Sequence, residues 1–213
     1  MSLSDELQRI FDADRALRAA EKALLRKKSA DELVSLLAVE TKNALAMDDR
    51  QEGTMRLERL ADLCAQVPGP AMADALIAIL NDVEPRVRVA AGEALRDVGY
   101  ERYAEVARAI ERALDRGDTG PAMSELPWVL AEIAEPSALS LIRRFLDHLS
   151  ADVVAAAIEA LSQLGEPEAA EDLKRFIDDT RSVTIEDFED ETKTTLGELA
   201  QDALRELGYA AAD

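Results

Sequence analysis

The chain has 213 residues, with 44 acidic against 25 basic side chains, a formal charge of −19 at pH 7, and only 4% aromatic residues. A surface this acidic repels phosphate backbones and anionic lipid headgroups, so nucleic-acid and membrane partners are disfavoured. A single cysteine, Cys64, excludes an intramolecular disulfide, and one histidine beside one cysteine excludes a structural zinc site.

No basic n-region and no long apolar run opens the chain, so a cytoplasmic protein is expected. Residues 4–28 predict a first helix with Ser4 as N-cap and Asp5 and Glu6 in the first turn, where the helix dipole favours acids. Leu7, Ile10, Phe11, Leu17, Ala20, Leu24 and Leu25 trace an apolar stripe interrupted by Asp14. Arg15, Arg18, Lys22 and Arg26 form a separate basic ridge at steps of three and four. Ser29 followed three residues later by Glu32 is a capping box, opening a helix to about Met47. A third helix covers 51–67 and stops at Pro68-Gly69-Pro70. Residues 1–67 thus read as an N-terminal cap and a degenerate first pair, and 68–208 as clearer repeats.

The most regular stretch is 80–99, LNDVEPRVRVAAGEALRDVG. Asn81 and Asp82 make a turn and Pro85 suits the first turn of a helix. Val87, Ala90, Ala91, Ala94, Leu95 and Val98 then form one apolar stripe, and Gly99 is a C-cap candidate. A second copy at 146–165 keeps Val153, Ala156, Ala157, Ala160, Leu161, Leu164 and Gly165. Gly99 and Gly165 lie 66 residues apart, two periods of 33, and a degenerate copy, LPWVLAEIA, ends between them at Ala134.

Asp82, Pro85, Val87, Arg88, Ala91, Ala94, Leu95, Val98 and Gly99 together resemble the HEAT repeat, in the bacterial form shared with phycobilin lyase-type proteins. The second copy lacks the proline and has Val154 at the arginine position. The resemblance covers roughly residues 70–208. It implies an all-α, right-handed α-solenoid of about five antiparallel helix pairs in a single domain, with the first helix as a cap and no strand. It also implies that Arg88 bonds the turn aspartate, Asp82, of its own or a neighbouring repeat. The family hosts scaffolds, inhibitors, lyase subunits and a few DNA glycosylases, so the repeat alone leaves the function open.

The later pairs follow as 71–80 with 85–98, 102–114 with 121–134, 137–148 with 152–164, and 167–178 with about 190–207. Between the last two, residues 179–190 form an acidic insertion loop with Asp187, Phe188 and Glu189 at its tip; insertions in such arrays often bind partners. No nucleophile–base set, phosphate loop or metal-ligand spacing is present, so no catalytic, cofactor or metal residue is assigned and no enzyme is expected. A lyase-like role would need aromatics and basic groups around a chromophore, and a glycosylase a basic face with several tryptophans. The expected function is a scaffold or adaptor presenting an acidic concave surface to a basic protein or peptide. Aligning Val98, Ile133 and Leu164 puts Trp128, the sole tryptophan, in register with Glu93 and Glu159. Two placements of Trp128 are open: an anchor on the inner face flanked by these glutamates, or a core position reached through a kink at Pro127.

Overall fold

The computed structural model describes residues 2–27, 29–187 and 190–209. Among them are ten α-helices, a short 3-10 turn and one two-stranded sheet. After α1 (Leu3–Lys27), the helices α2 (Ala30–Leu45), α3 (Arg50–Ala65), α4 (Pro70–Leu80), α5 (Pro85–Arg116) and α6 (Ala122–Ile133) follow. They continue with α7 (Ala138–Phe145), α8 (Ala151–Leu164), α9 (Ala170–Lys174) and α10 (Leu196–Glu206). The pairs are α2/α3, α4 with the first half of α5, the second half of α5 with α6, α7/α8 and α9/α10. Each first helix packs on its own second helix, and the second helices pack in series from α3 to α10, which makes a stacked all-α solenoid. One continuous core runs through the stack, built largely of alanine, valine and leucine. The small side chains let the helices approach closely.

Local chemistry sets the boundaries. Ser29 accepts the Glu32 amide at 3.3 Å and opens α2, and Gly165 closes α8 with φ 72°. Ala134 closes α6 in the same left-handed conformation, φ 53°, at the end of the degenerate copy. Pro127 is buried and α6 continues through it.

Two expectations fail. Gly99 does not end a helix: α5 continues past it and breaks only at Arg102, φ −142° and ψ 49°. What favours glycine there is packing, because a Cβ on Gly99 would lie 2.2 Å from Cδ1 of Ile133 on α6. The break at Arg102 is held by its guanidinium, which donates to the Ala65 carbonyl at 2.8 Å and to Glu105 at 3.4 Å.

The second failure is the insertion. Residues read as a loop form a β-hairpin, β1 (Ser182–Asp187) against β2 (Asp190–Thr195), antiparallel with Val183 opposite Thr194 and Ile185 opposite Thr192. The β-branched residues Val183, Ile185, Thr192, Thr194 and Thr195 favour the pleated conformation, a signal masked by the acids among them. The hairpin does not simply project, since Val183 is buried and β1 packs on α8. Its ends are pinned: Leu196 N donates to Arg181 O at 3.0 Å, and Thr195 and Glu198 form a capping box at the start of α10.

The arginines tie repeats together. Along the first helices, Arg112 reaches Asp74 at 2.9 Å, Arg144 reaches Asp115 and Arg143 reaches Asp172, both at 2.6 Å. Along the second helices, Arg86 meets Glu58 at 3.2 Å and Arg96 meets Glu132 at 2.9 Å. Much of the basic complement is spent between helices, and the excess of acid is left on the surface.

Candidate functional site

Helix α6 carries its apolar residues Leu126, Val129, Leu130 and Ile133 inward, all buried. Glu125, Trp128 and Glu132, at i, i+3 and i+7, fall on the other side of the helix. Trp128 is half-buried, so its ring is neither in the core nor fully in solvent. It separates two grooves.

The first groove, of ≈ 360 Å³, lies between α5 and α6 and is lined by Arg88, Val89, Gly92, Arg96, Glu125, Trp128 and Glu132 among others. Its charges are matched, Arg96 to Glu132 at 2.9 Å and Arg88 to Glu125 at 3.7 Å. The second, of ≈ 270 Å³, lies between α6, α8 and the hairpin. Ser124, Glu125, Trp128, Asp152, Ala155, Ala156, Glu159, Val183 and Thr184 line it, three of them acidic and none basic. Its floor is alanine because α8 packs on α6, α10 and β1 at once. A cationic side chain entering there would meet carboxylates on two helices and the face of an indole.

Burial, with Glu206 nearby, pushes the Glu159 carboxyl above its ordinary 4.5. A carboxyl raised in the folded state holds its proton more tightly there than in the unfolded chain. Ionisation of Glu159 therefore subtracts from stability above the folded value, and the loss is absent below the ordinary one. Glu159→Gln is expected to melt above wild type at neutral pH, with the gap closing as the pH falls to about 4. Melting curves at the two pH values check this, and an unchanged melting temperature at neutral pH would contradict it.

A larger cavity, ≈ 680 Å³, opens where the end of α3 meets the break in α5. Its polar walls are already committed: Arg102 holds Ala65, Glu101 and Glu105, and Glu105 also accepts the Gly69 amide at 3.1 Å. It reads as a repeat junction. His148 is a clip between loops. Its Nδ1 accepts the Ser150 amide at 3.1 Å, which leaves Nε2–H to donate to the Asp118 carbonyl at 3.0 Å. Cys64 is buried, and that burial pushes its thiol up to about 11, far from a reactive thiolate. Among the described residues no group of three or more His, Cys, Asp or Glu is placed to hold a metal ion, and no helix is long and apolar enough to cross a membrane.

Of the residues singled out from the sequence, Trp128 and Glu159 share a groove. Glu93 is exposed and lies apart from it; the row Arg88, Gly92, Arg96 faces α6 in its place. Asp187 is the last residue of β1, while Phe188 and Glu189 lie outside the described residues. Glu125, Glu132 and Asp152 were not anticipated. The i, i+3, i+7 spacing of Glu125, Trp128 and Glu132 was the available signal, obscured by the abundance of acids on every helix.

Fold and site together define a helical-repeat scaffold with an aromatic residue at the boundary of two surface grooves. Residues 124–193, from within α6 into β2, match the family model described as HEAT repeats. No curated protein matches the chain. Among solved structures it is similar to an engineered protein, at 16% identity and a TM-score of 0.38, over 90% of this chain and 98% of that one. It is also similar to a computationally designed armadillo repeat protein for modular peptide recognition, at 14% identity and a TM-score of 0.38, over 90% of this chain and 93% of the other.

Proposed function

We propose that the chain is a non-enzymatic interaction scaffold whose second-helix face receives a basic peptide segment, with one Arg or Lys side chain seated beside Trp128. The observation that carries this reading is the groove on the α8 side of Trp128, where Asp152 and Glu159 line the same groove as the indole with no basic residue in the lining, while Glu125, shared with the neighbouring groove, is met by Arg88 at 3.7 Å. The neighbouring groove differs in that Arg88 and Arg96 neutralise its glutamates, so it offers shape rather than charge. A cation against an indole face gains from the ring quadrupole and from the carboxylates at once. In this reading the partner crosses from α8 toward β1.

The sole tryptophan makes the test direct. Titrating an arginine-rich extended peptide should shift Trp128 emission, and a polyglutamate peptide should not. Trp128→Ala should weaken the peptide about 10- to 100-fold, the range of an aromatic hot spot, while leaving the melting temperature near wild type. Glu159→Gln should weaken it too while stabilising the fold, so the two effects of that residue separate. Unchanged peptide affinity in Trp128→Ala would overturn the proposal.

A further inference from the structure

We infer that the protruding part of α1 is a self-association element, pairing antiparallel with α1 of a second copy of this chain. Positions 3, 7, 10, 14, 17, 21 and 24 alternate steps of four and three, the spacing of a helix-pairing seam. The last part of that seam is already used within the chain. Leu24, with Leu25, packs on the core, and Glu21 is held by Arg59 of α3 at 3.1 Å. The same seam then runs out into solvent, where Leu3 is 85% exposed, Leu7 51% and Ile10 65%, with Phe11 beside it at 49%. An isolated helix with this much bare apolar surface is unusual in a monomer.

Charge selects the occupant. Residues 3–14 of α1 carry four acids against one base, and residues 15–26 carry four bases against one acid. Two parallel copies would set acid on acid and base on base. Two antiparallel copies set the acidic start of each helix on the basic 15–18 stretch of the other, which is the complementarity that orients paired helices. A two-fold axis near Asp12 places Leu7 of one copy against Leu17 of the other, and Glu6 against Arg18, with Asp5 about one turn from Arg15. At the base of α1 an apolar groove of ≈ 420 Å³, lined by Leu17, Leu36, Met55 and Leu63 among others, lies where the end of the second helix arrives. Asp14, which breaks the seam, is held by Arg18 of its own helix at 2.9 Å. The rest of this acidic surface would repel a second copy, so α1 is the place where two copies can meet.

Sedimentation equilibrium of the full chain at about 0.15 M salt tests this, since long-range repulsion is then screened beyond roughly 8 Å. Wild type is expected to dimerise. Leu7→Glu with Ile10→Glu should weaken dimerisation about 100-fold or more, two buried apolar side chains' worth. Trp128 emission and the melting of the repeats should stay unchanged in that variant, because neither side chain supports the stack. Asp5→Lys with Glu6→Lys should weaken dimerisation, and adding Arg15→Glu with Arg18→Glu should restore it. Only the antiparallel pair predicts restoration, and both charge variants carry the same change at the helix start. A monomeric wild type, a dimer indifferent to Leu7→Glu with Ile10→Glu, or a swap that fails to restore would each overturn the proposal. A monomer that binds anionic vesicles through α1 would overturn it in favour of a membrane surface.

Discussion

Gly197→Ala is expected to destabilise the C-terminal end of the stack by about 2–4 kcal/mol, through overpacking and one lost hydrogen bond. Gly197 is the second residue of α10, just after the hairpin. A Cβ there would lie 2.6 Å from the Ile177 carbonyl oxygen and 3.1 Å from that of Asp179, and both are backbone. Neither can rotate away. Relief requires α10 to move off the 177–179 segment, and the Gly197 amide donates to Asp179 O at 2.9 Å, so that bond is lost as well. The same segment fixes the hairpin: Asp179 accepts Arg181 at 2.7 Å, and the Arg181 carbonyl accepts the Leu196 amide at 3.0 Å. Hydrogen exchange should show α10 and the base of the hairpin opening first, because a terminal repeat contacts one neighbour only. Gly99→Ala is the comparison. Its Cβ meets the end of the Ile133 side chain, which can turn, so it should cost less than Gly197→Ala. A Gly197→Ala variant that melts like wild type would mean that the hairpin and α10 are not held as described.

The sequence carried the repeat and missed its departures, for identifiable reasons. Val87, Ala91, Leu95 and Val98 lie on one face by periodicity alone, and all are buried. Gly165 was legible as a helix end because nothing lies within 4 Å of its Cβ position, so only its left-handed φ demands glycine. Gly99 carries the same residue type in the same repeat position for a different cause, the approach of Ile133 from a helix 34 residues away, and no local pattern reports that. The hairpin was hidden by composition. Its β-branched runs at 183–185 and 192–195 flank a cluster of acids, and a stretch that charged resembles a solvated loop until one sees Val183 buried against α8. For the site, Trp128 and Glu159 line one groove because α6 and α8 pack side by side. Glu93 lines neither groove; on α5 it is Arg88, Val89, Gly92 and Arg96 that share a groove with Trp128.

Asp82→Ala should cost about 1–3 kcal/mol, more than either of its arginine neighbours, because it removes the acceptor of the part-buried Glu84 amide as well as an ion pair. The resemblance to HEAT repeats implied that Arg88 bonds the turn aspartate, Asp82, through its side chain or the turn backbone, and the backbone contact is the one present. The structure divides that work. The carboxylate is 4% exposed and accepts Arg50 Nη2 of α3 at 2.7 Å and the Glu84 amide at 2.9 Å. Arg88 instead donates to the turn carbonyls of Asp82 at 3.3 Å and Val83 at 3.0 Å. Arg50→Ala leaves the buried carboxylate with the Glu84 amide as its remaining donor and should cost about 1–2 kcal/mol, discounted because Arg50 is half in solvent. Arg88→Ala removes bonds to partly hydrated carbonyls and should cost about 0.5–1 kcal/mol. A double-mutant cycle separates the two assignments. Asp82 and Arg50 should couple by about 1 kcal/mol, whereas Asp82 and Arg88 should add within about 0.5 kcal/mol. Coupling of Asp82 to Arg88 and not to Arg50 would show that the Asp82 side chain is tied within its own repeat and not to the repeat before it.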